Sequence, residues 1–250
     1  MTIDPELLRL IQVEGITDED YRRVQPKIEA VKQMALFSYS GLFVFDFFKM
    51  DFYYIAPNTF GEDENVRNAA REMGLDFFIS HASAVGIDNM WMASAYMQNF
   101  YKTLSPEKRY DYMMHTNYSA MCQKGKRMLN SKFTPLEFAP DGRVWLGVEG
   151  FTTSPESSEE LFAIQNIKTN EIRIYEAKSN TWRTKILKPL STTGKSVLTL
   201  MAQGKSVKSI AIELNKSEDT IRSHQKALFK KLDAHTAIEA IGTAKKYRMM

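Results

Sequence analysis

The sequence predicts an α+β protein: N-terminal helices and an antiparallel sheet domain, followed by an all-α tail of four helices. Three observations predict it. Between residues 41 and 176, runs rich in Phe, Tyr, Val and Ile alternate apolar and polar side chains at period two, as half-buried strands do. From Leu190 onward the apolar residues recur instead at helical spacing, each group preceded by a hydroxyl residue suited to cap a helix. The charge divides at the same place. Residues 188–250 hold twelve Lys and Arg against five Asp and Glu, a net +7, whereas residues 1–187 hold twenty-one against twenty-five, a net −4; together they give the +3 of the whole chain. A near-neutral total thus conceals a basic module on an acidic body.

The elements follow in order. Residues 1–36 read as an amphipathic helical lead-in, or as part of a dimer contact: "DPELLRLIQVEG" with Pro5 near its start, then "DEDYRRVQPKIEAVKQMALF". "GLFVFDFFKMDFYYIAPNTF" reads as two strands reversing near Lys49-Met50. "EDENVRNAAREMG" is a helix stopped at Gly74, and "GIDNMWMASAYMQNFYKTL" a second one broken by Ser105-Pro106. Three strands are expected in "YDYMMHTNYSAM", "RMLNSKFTPLEF" and "RVWLGVEGFTTS", with Asp141-Gly142 turning the last two. "SPESSEE" is a polar break, and "LFAIQNIKTNEIRIYEA" a hairpin turned at Thr169-Asn170. The expected domains are therefore 1–36, 37–185 and 188–250.

At 250 residues with 44% hydrophobic and 25% charged content, the chain has room for two globular domains. Its single Cys122 permits no intrachain disulfide. The start "MTIDPELLRL" lacks a signal-peptide core, and the most apolar run, "MALFSYSGLFVFDFF", is too short to span a bilayer and carries Asp46. A cytoplasmic protein without a membrane span is expected.

The tail carries the most specific pattern. Val197, Leu198 and Met201 make an apolar stripe closed by Gly204, and Ser206 caps a short helix with Ile210, Ala211 and Leu214. Asn215-Lys216 then leads to Ser217, the cap of a longer helix over 218–232. There Ile221, Leu228 and Leu232 share one side, and Arg222, Ser223, Lys226 and Lys230 the other. A last helix opens at Thr236, three residues before Glu239. A basic stripe by itself fits a solvated face as well as a DNA groove. Short helix, tight turn and basic helix together make a helix-turn-helix, whose later helix enters the major groove.

This segment resembles the DNA-binding domain of LuxR-type regulators, also found in NarL/FixJ-type response regulators. The run that carries the resemblance is Leu190-Ser191, Val197-Leu198, Met201 to Gly204, Ser206, Lys208, Ile210-Ala211, Leu214, Ser217, Thr220 to Arg222, His224, Leu228, Lys231-Leu232 and Glu239-Ala240. Three places depart from it: Gly194 stands where the family has Glu, Lys216 where it has an apolar residue, and Thr236-Ala237 where it has Asn-Arg. The resemblance implies that Arg222, Ser223 and Lys226 reach base edges of double-stranded DNA, and that Lys208, Thr220 and Lys230 contact phosphates. It also implies a homodimer paired through the last helix by Ile238, Ile241 and Lys245. His224 lies towards the packed side and reads as structural.

Two strands, a helical stretch and three antiparallel strands is the order of a PAS-like domain. Residues 1–185 resemble the sensor part of Bacteroidetes-type regulators that join helices, a PAS-like domain and a LuxR-type tail. "VFDFFKMDFYYIAPNTFG", "KFTPLEFAPDGRVWLGVEGFTTSP" and "IQNIKTNEI" carry the resemblance, while "HASAV" (His81 to Val85) departs from the His-Pro-Asp-Asp loop common there. Phe43, Phe45 and Tyr54 could line a small-molecule pocket or be plain core. His81 and His115 lack partners at metal-ligand spacing, and Cys122, with Lys124 and Lys126 near it, reads as an inert thiol or a redox sensor. No cofactor and no metal are expected, and no catalytic motif is present.

The leading expectation is a sequence-specific transcription regulator, not an enzyme, controlled by a PAS-like domain that senses or dimerises. A receptor regulator for an autoinducer-like ligand is the alternative. A phosphorylation-driven response regulator fits less well, because residues 1–36 lack the apolar strand and paired acids with which a receiver opens.

Overall fold

A computed structural model describes residues 4–250 apart from 39–40, 58, 60–63, 82–83, 123–124, 154–160, 177–178, 180 and 248. The chain forms two compact units, Met1–Ile186 and Leu187–Met250.

Unit 1 opens with α1 (Pro5–Ile11) and α2 (Asp18–Leu36). Asp4 caps α1, its carboxylate accepting from the Glu6 N–H at 2.8 Å, and Pro5 takes the first helical position, where its missing N–H costs nothing. A capping box starts α2: the Thr17 hydroxyl accepts from the Asp20 N–H and the Asp20 carboxylate from the Thr17 N–H. Those bonds hold the Asp20 carboxyl below its ordinary range.

The sheet begins with β1 (Gly41–Asp46) and β2 (Asp51–Ile55). Met50, in the left-handed region at φ 54°, makes the reversal expected at Lys49-Met50. Three helices follow, α3 (Glu64–Met73), α4 (Leu75–His81) and α5 (Ala84–Lys102), and then a 3-10 turn over Pro106–Asp111. Strands β3 (Tyr112–Cys122), β4 (Gly125–Phe138), β5 (Val144–Thr153), β6 (Leu161–Asn166), β7 (Glu171–Glu176) and β8 (Thr181–Ile186) complete one antiparallel sheet in the order β2-β1-β5-β4-β3-β6-β7-β8. Gly142 (φ 90°) turns β4 into β5, and Asn170 (φ 57°) turns β6 into β7, both at the places the sequence marked.

Residues 1–36, taken from the sequence as a lead-in, contribute Ile11, Val13, Val24, Ile28 and Val31 to the core that also holds Phe43, Phe45, Trp145 and Leu146. Gln98 on α5 fixes this junction. Its amide donates to the carbonyls of Ile11 (3.1 Å) and Val144 (3.0 Å) and accepts from the Val144 N–H (2.7 Å), joining α1, α5 and β5 through one buried side chain. Arg143 adds a bond to the Gln12 carbonyl at 2.8 Å.

Two elements went unread in the sequence. Helix α4 follows the Gly74 stop of α3 directly. Strand β8 exposes most of its side chains; its anchor is Trp182, stacked on Tyr96 of α5 with ring centroids 3.8 Å apart.

Unit 2 consists of α6 (Thr192–Ala202), α7 (Val207–Glu213), α8 (Glu218–Leu232) and α9 (Ala237–Lys246). Val197, Leu198, Ile210, Ile221, Leu228, Leu232, Ala240 and Ala244 are buried to 4% exposure or less, so the four helices share one small core. Among the described residues, no helix of either unit is long and apolar enough to cross a membrane.

Candidate nucleic-acid interface

The helix-turn-helix is built by caps. Ser191, Ser206, Ser217 and Thr236 each accept, through the side-chain oxygen, the N–H three residues on. Each such bond is worth about 1 kcal/mol and sets the residue at which a helix starts. The ends are as well defined. After α6, Gly204 at φ 77° lets its N–H donate to Met201 O (2.9 Å) and the Lys205 N–H to Leu200 O (3.1 Å). After α7, Asn215 at φ 50° repeats the arrangement, with the Lys216 N–H donating to Ala211 O at 2.9 Å. These double closures make the turn between α7 and α8 tight and fix the direction in which α8 leaves it.

Helix α8 then buries Ile221, Leu228 and Leu232 and exposes Arg222, Ser223, Lys226 and Lys230. The stripe expected from the sequence is thus a surface, and the three residues expected at base edges lie together on it. Arg222 is held loosely, its guanidinium 3.5 Å from Glu218, the acid one turn earlier. A solvated pair of this kind is worth about 0–1 kcal/mol, so it does not prevent the side chain from swinging to another acceptor. Lys208 on α7 is exposed, and Thr220 is half-buried with its hydroxyl 2.8 Å from that of Ser217. His224 is half-buried, on neither the core nor the basic stripe.

Lys231 behaves differently from its neighbours. Its ammonium donates to the Pro189 carbonyl at 2.8 Å, so this cation ties the end of α8 to the segment before α6. The sequence matched Lys231 as part of a pattern without assigning the bond. At Gly194, where Glu was expected, a Cβ would stand 3.0 Å from Ser191 Oγ and 3.5 Å from Leu228. The position is buried beside the cap, so an added side chain would require the Ser191 hydroxyl to give way by a few tenths of an ångström. Thr236 and Ala237, standing where Asn-Arg was expected, start α9 through the cap alone, with the Glu239 carboxylate accepting from the His235 N–H at 2.7 Å. That bond keeps the Glu239 carboxyl below its ordinary range.

On α9, Ile238 is 65% exposed, Lys245 is exposed and Ile241 is half-buried, so the residues expected to pair two copies do not serve the core of this unit.

In unit 1 the three aromatics expected to line a pocket divide. Phe43 and Phe45 point to the face that packs on Phe52, whereas Tyr54, opposite Val44 in the register, lies on the other face with the Lys32 ammonium over its ring. They cannot line one pocket. His115 is buried with Nε2 2.7 Å from Gln165 Oε1, a structural placement. The side chains of His81 and Cys122, and residue Lys124, lie outside the described residues.

The face with Phe43 and Phe45 holds a polar set that the sequence reading missed. The cross-strand partners Phe43, Glu149 and Phe133 stand in one row over β1, β5 and β4. Gly41, Phe151, Ser131 and Thr116 make the next row on the same face. Ser131 Oγ is 2.7 Å from Thr116 Oγ1 and hydrogen-bonds Glu149. Burial pushes the Glu149 carboxyl up to about 7, against the opposing pull of the Ser131 bond. The alternation of β5 would have revealed it: Val144, Leu146 and Val148 make one face, and Glu149 interrupts the apolar residues of the other.

The chain is similar over 99 residues to the transcriptional regulatory protein DesR of Bacillus subtilis, at 34% identity. That match covers 40% of this chain, which spans half the length of DesR. Among solved structures, the phage VqmA–DPO complex is similar at 16% identity and a TM-score of 0.33, over 90% of this chain and 92% of that one. A Vibrio cholerae VqmA–ligand–DNA complex gives 16% identity and a TM-score of 0.30, over 88% and 87%. The family comparison falls on unit 2 alone: residues 188–244, from just before α6 into α9, match the model for bacterial regulatory proteins of the luxR family.

Proposed function

We propose that the protein is a LuxR-type, sequence-specific DNA-binding regulator of transcription, with α8 seated in the major groove. The observation that carries this reading is the α8 surface. Its donors Arg222, Ser223, Lys226 and Lys230 are exposed together, and past the first turn the helix carries no acid. Arg222 and Lys226 match the acceptors O6 and N7 of guanine, and Ser223 accepts or donates to either base. Lys208, Thr220 and Lys230 hold phosphates, positioning α8 without reading sequence. The net +7 of the tail makes the binding steeply dependent on salt. Two copies pair through Ile238, Ile241 and Lys245 of α9, and the operator is a partial inverted repeat with half-sites about one helical turn apart.

Residues 37–185 act as a PAS-like sensor or dimerisation domain in the cytoplasm. The succession of two strands, helices and antiparallel strands supports this reading, and so does the helix that stands first where a receiver would place an apolar strand. The whole protein acts as a regulator of transcription, as DesR does by its description.

Genome-wide mapping of bound sites, followed by gel-shift titration of the recovered motif against scrambled DNA, tests the reading. A shared motif bound at least a thousandfold more tightly than scrambled sequence supports it. Equal affinity for both, or none at low salt, overturns it.

A further inference from the structure

We infer that Asp219 reads a cytosine in the operator, its carboxylate accepting from the N4 amine of the base. The inference rests on the proposed seating of α8 in the major groove and deepens it by naming a further residue that sets sequence. Helix α8 carries two acids in its first turn, Glu218 and Asp219, and the structure holds them differently. Glu218 borders the hollow between α7 and α8, with Lys208, Ile212, Asn215 and Lys216, and has the Arg222 guanidinium 3.5 Å away. Asp219 is exposed, and its carboxylate makes no hydrogen bond or ion pair with any described residue. Its place on the helix explains this. Advancing about 100° per residue from Glu218, the buried Ile221, Leu228 and Leu232 centre at about 300°. Arg222, Lys226, Lys230 and Ser223 spread from about 40° to about 140°, and Asp219 falls at about 100°, in the middle of the donors and nearly opposite the core.

The start of α8 is already held by Ser217, whose hydroxyl accepts the Thr220 N–H at 3.1 Å, so the Asp219 carboxylate is not needed as a cap. An acid at the centre of a face that meets phosphates lowers affinity for every sequence, because like charges repel. That loss is offset only where the carboxylate finds a donor. Two bases present an amine in the major groove, cytosine through N4 and adenine through N6. Adenine sets its N7 acceptor beside the amine, which repels a carboxylate, whereas the cytosine edge offers the donor alone. The N-terminal residues of a recognition helix are the ones that reach base edges, and Asp219 is the second residue of α8. It precedes Arg222 by one turn, about 4.5 Å of rise, while stacked bases stand about 3.4 Å apart. The cytosine therefore lies within about two base pairs of the guanine that Arg222 reads.

The test is selection from randomised duplexes with the full-length protein, carried out for wild type, Asp219→Asn and Asp219→Ala and followed by gel-shift titration. The wild-type motif should hold a cytosine at one position of each half-site, preferred over the other bases by about tenfold or more. Asp219→Ala should flatten the preference at that position alone and bind scrambled DNA several-fold more tightly at low salt. Asp219→Asn should move the preference to adenine, because an amide accepts from N6 and donates to N7 together. Thermal melts followed by far-UV circular dichroism check that both variants are folded. They also separate this role from a structural one. An acid that only favours the positive end of the helix dipole would change the melting temperature and leave the motif as it was. A motif identical in all three proteins overturns the inference and leaves the regulator reading intact. A wild type that selects no motif overturns both.

Discussion

Replacing Glu149 by Gln should stabilise unit 1 at pH 8 and do almost nothing below about pH 4. The carboxyl is pushed up from 4.5 to about 7 in the folded protein, because ionising it there strands a charge among Phe43, Phe133 and Phe151. A folded state that holds its proton more tightly than the unfolded chain gains stability from it. That gain is fully present below the unfolded value near 4.5 and is lost as the pH rises through about 7. The full shift corresponds to about 3 kcal/mol at 1.36 kcal/mol per pH unit. The partial accessibility of Glu149 lets water screen some of it, leaving about 1–3 kcal/mol. Gln keeps the size and the bond to Ser131 but cannot ionise. All three tryptophans, Trp91, Trp145 and Trp182, lie in unit 1, so urea unfolding followed by tryptophan fluorescence reports on this unit alone. Wild type and variant should share a midpoint below about pH 4, separate progressively from about pH 4.5 to pH 7 and stay apart by a constant gap above about pH 7.5, the variant being the more stable. Parallel midpoints at every pH, or a gap that opens on the acid side, would refute the reasoning.

Other substitutions probe unit 2. Arg222→Ala should cost about 1–3 kcal/mol on the specific operator and much less on scrambled DNA, as read by competitive gel shift. Lys230→Ala should weaken both alike and lower the slope of log K against log salt by about 1. Glu218→Gln frees Arg222 from its 3.5 Å partner and removes a negative charge from the docking face, so affinity should rise about two- to five-fold at low salt. Lys231→Met removes the bond to Pro189 O without touching the basic stripe, and should lower the thermal stability of unit 2 by about 0.5–1.5 kcal/mol.

Local rules made most of unit 2 legible in the sequence. Ser206, Ser217 and Thr236 are caps whose partners lie three residues away, and Gly204 closes a helix through its own backbone conformation. Such features need no knowledge of the rest of the chain. The strands of unit 1 and the turns at Met50, Gly142 and Asn170 were legible for the same reason. What stayed hidden depends on pairing. Tyr54 follows Phe43 and Phe45 in an aromatic run, but a register shift between Val44 and Phe45 and the alternation of β2 send it to the opposite face. Glu149, Ser131 and Thr116 come from three strands and meet only when those strands align. Strand β8 lacks alternation because its edge faces solvent, and its one anchor, Trp182, gains meaning only beside Tyr96.

The base contacts proposed for α8 also bear on the proposed pairing of two copies. Arg222, Ser223 and Lys226 are the three exposed donor side chains proposed to read bases, and a good bidentate pair supplies about 1–3 kcal/mol of discrimination. Ser223 makes single bonds, and Lys226 is a flexible point donor rather than a fork, so one module falls in the lower part of the resulting range. Specific regulators exceed their non-specific binding by about 4–10 kcal/mol. One α8 therefore reaches only the bottom of that window, whereas two on opposite half-sites reach its middle. The exposed Ile238 and half-buried Ile241 on α9 offer the apolar contact that would hold two modules at a fixed spacing. Inserting five base pairs between half-sites turns them to opposite sides of the duplex and should abolish the gain, while inserting ten should restore part of it. An operator indifferent to both insertions would show that each module binds alone, and the discrimination would then have to come from contacts other than α8.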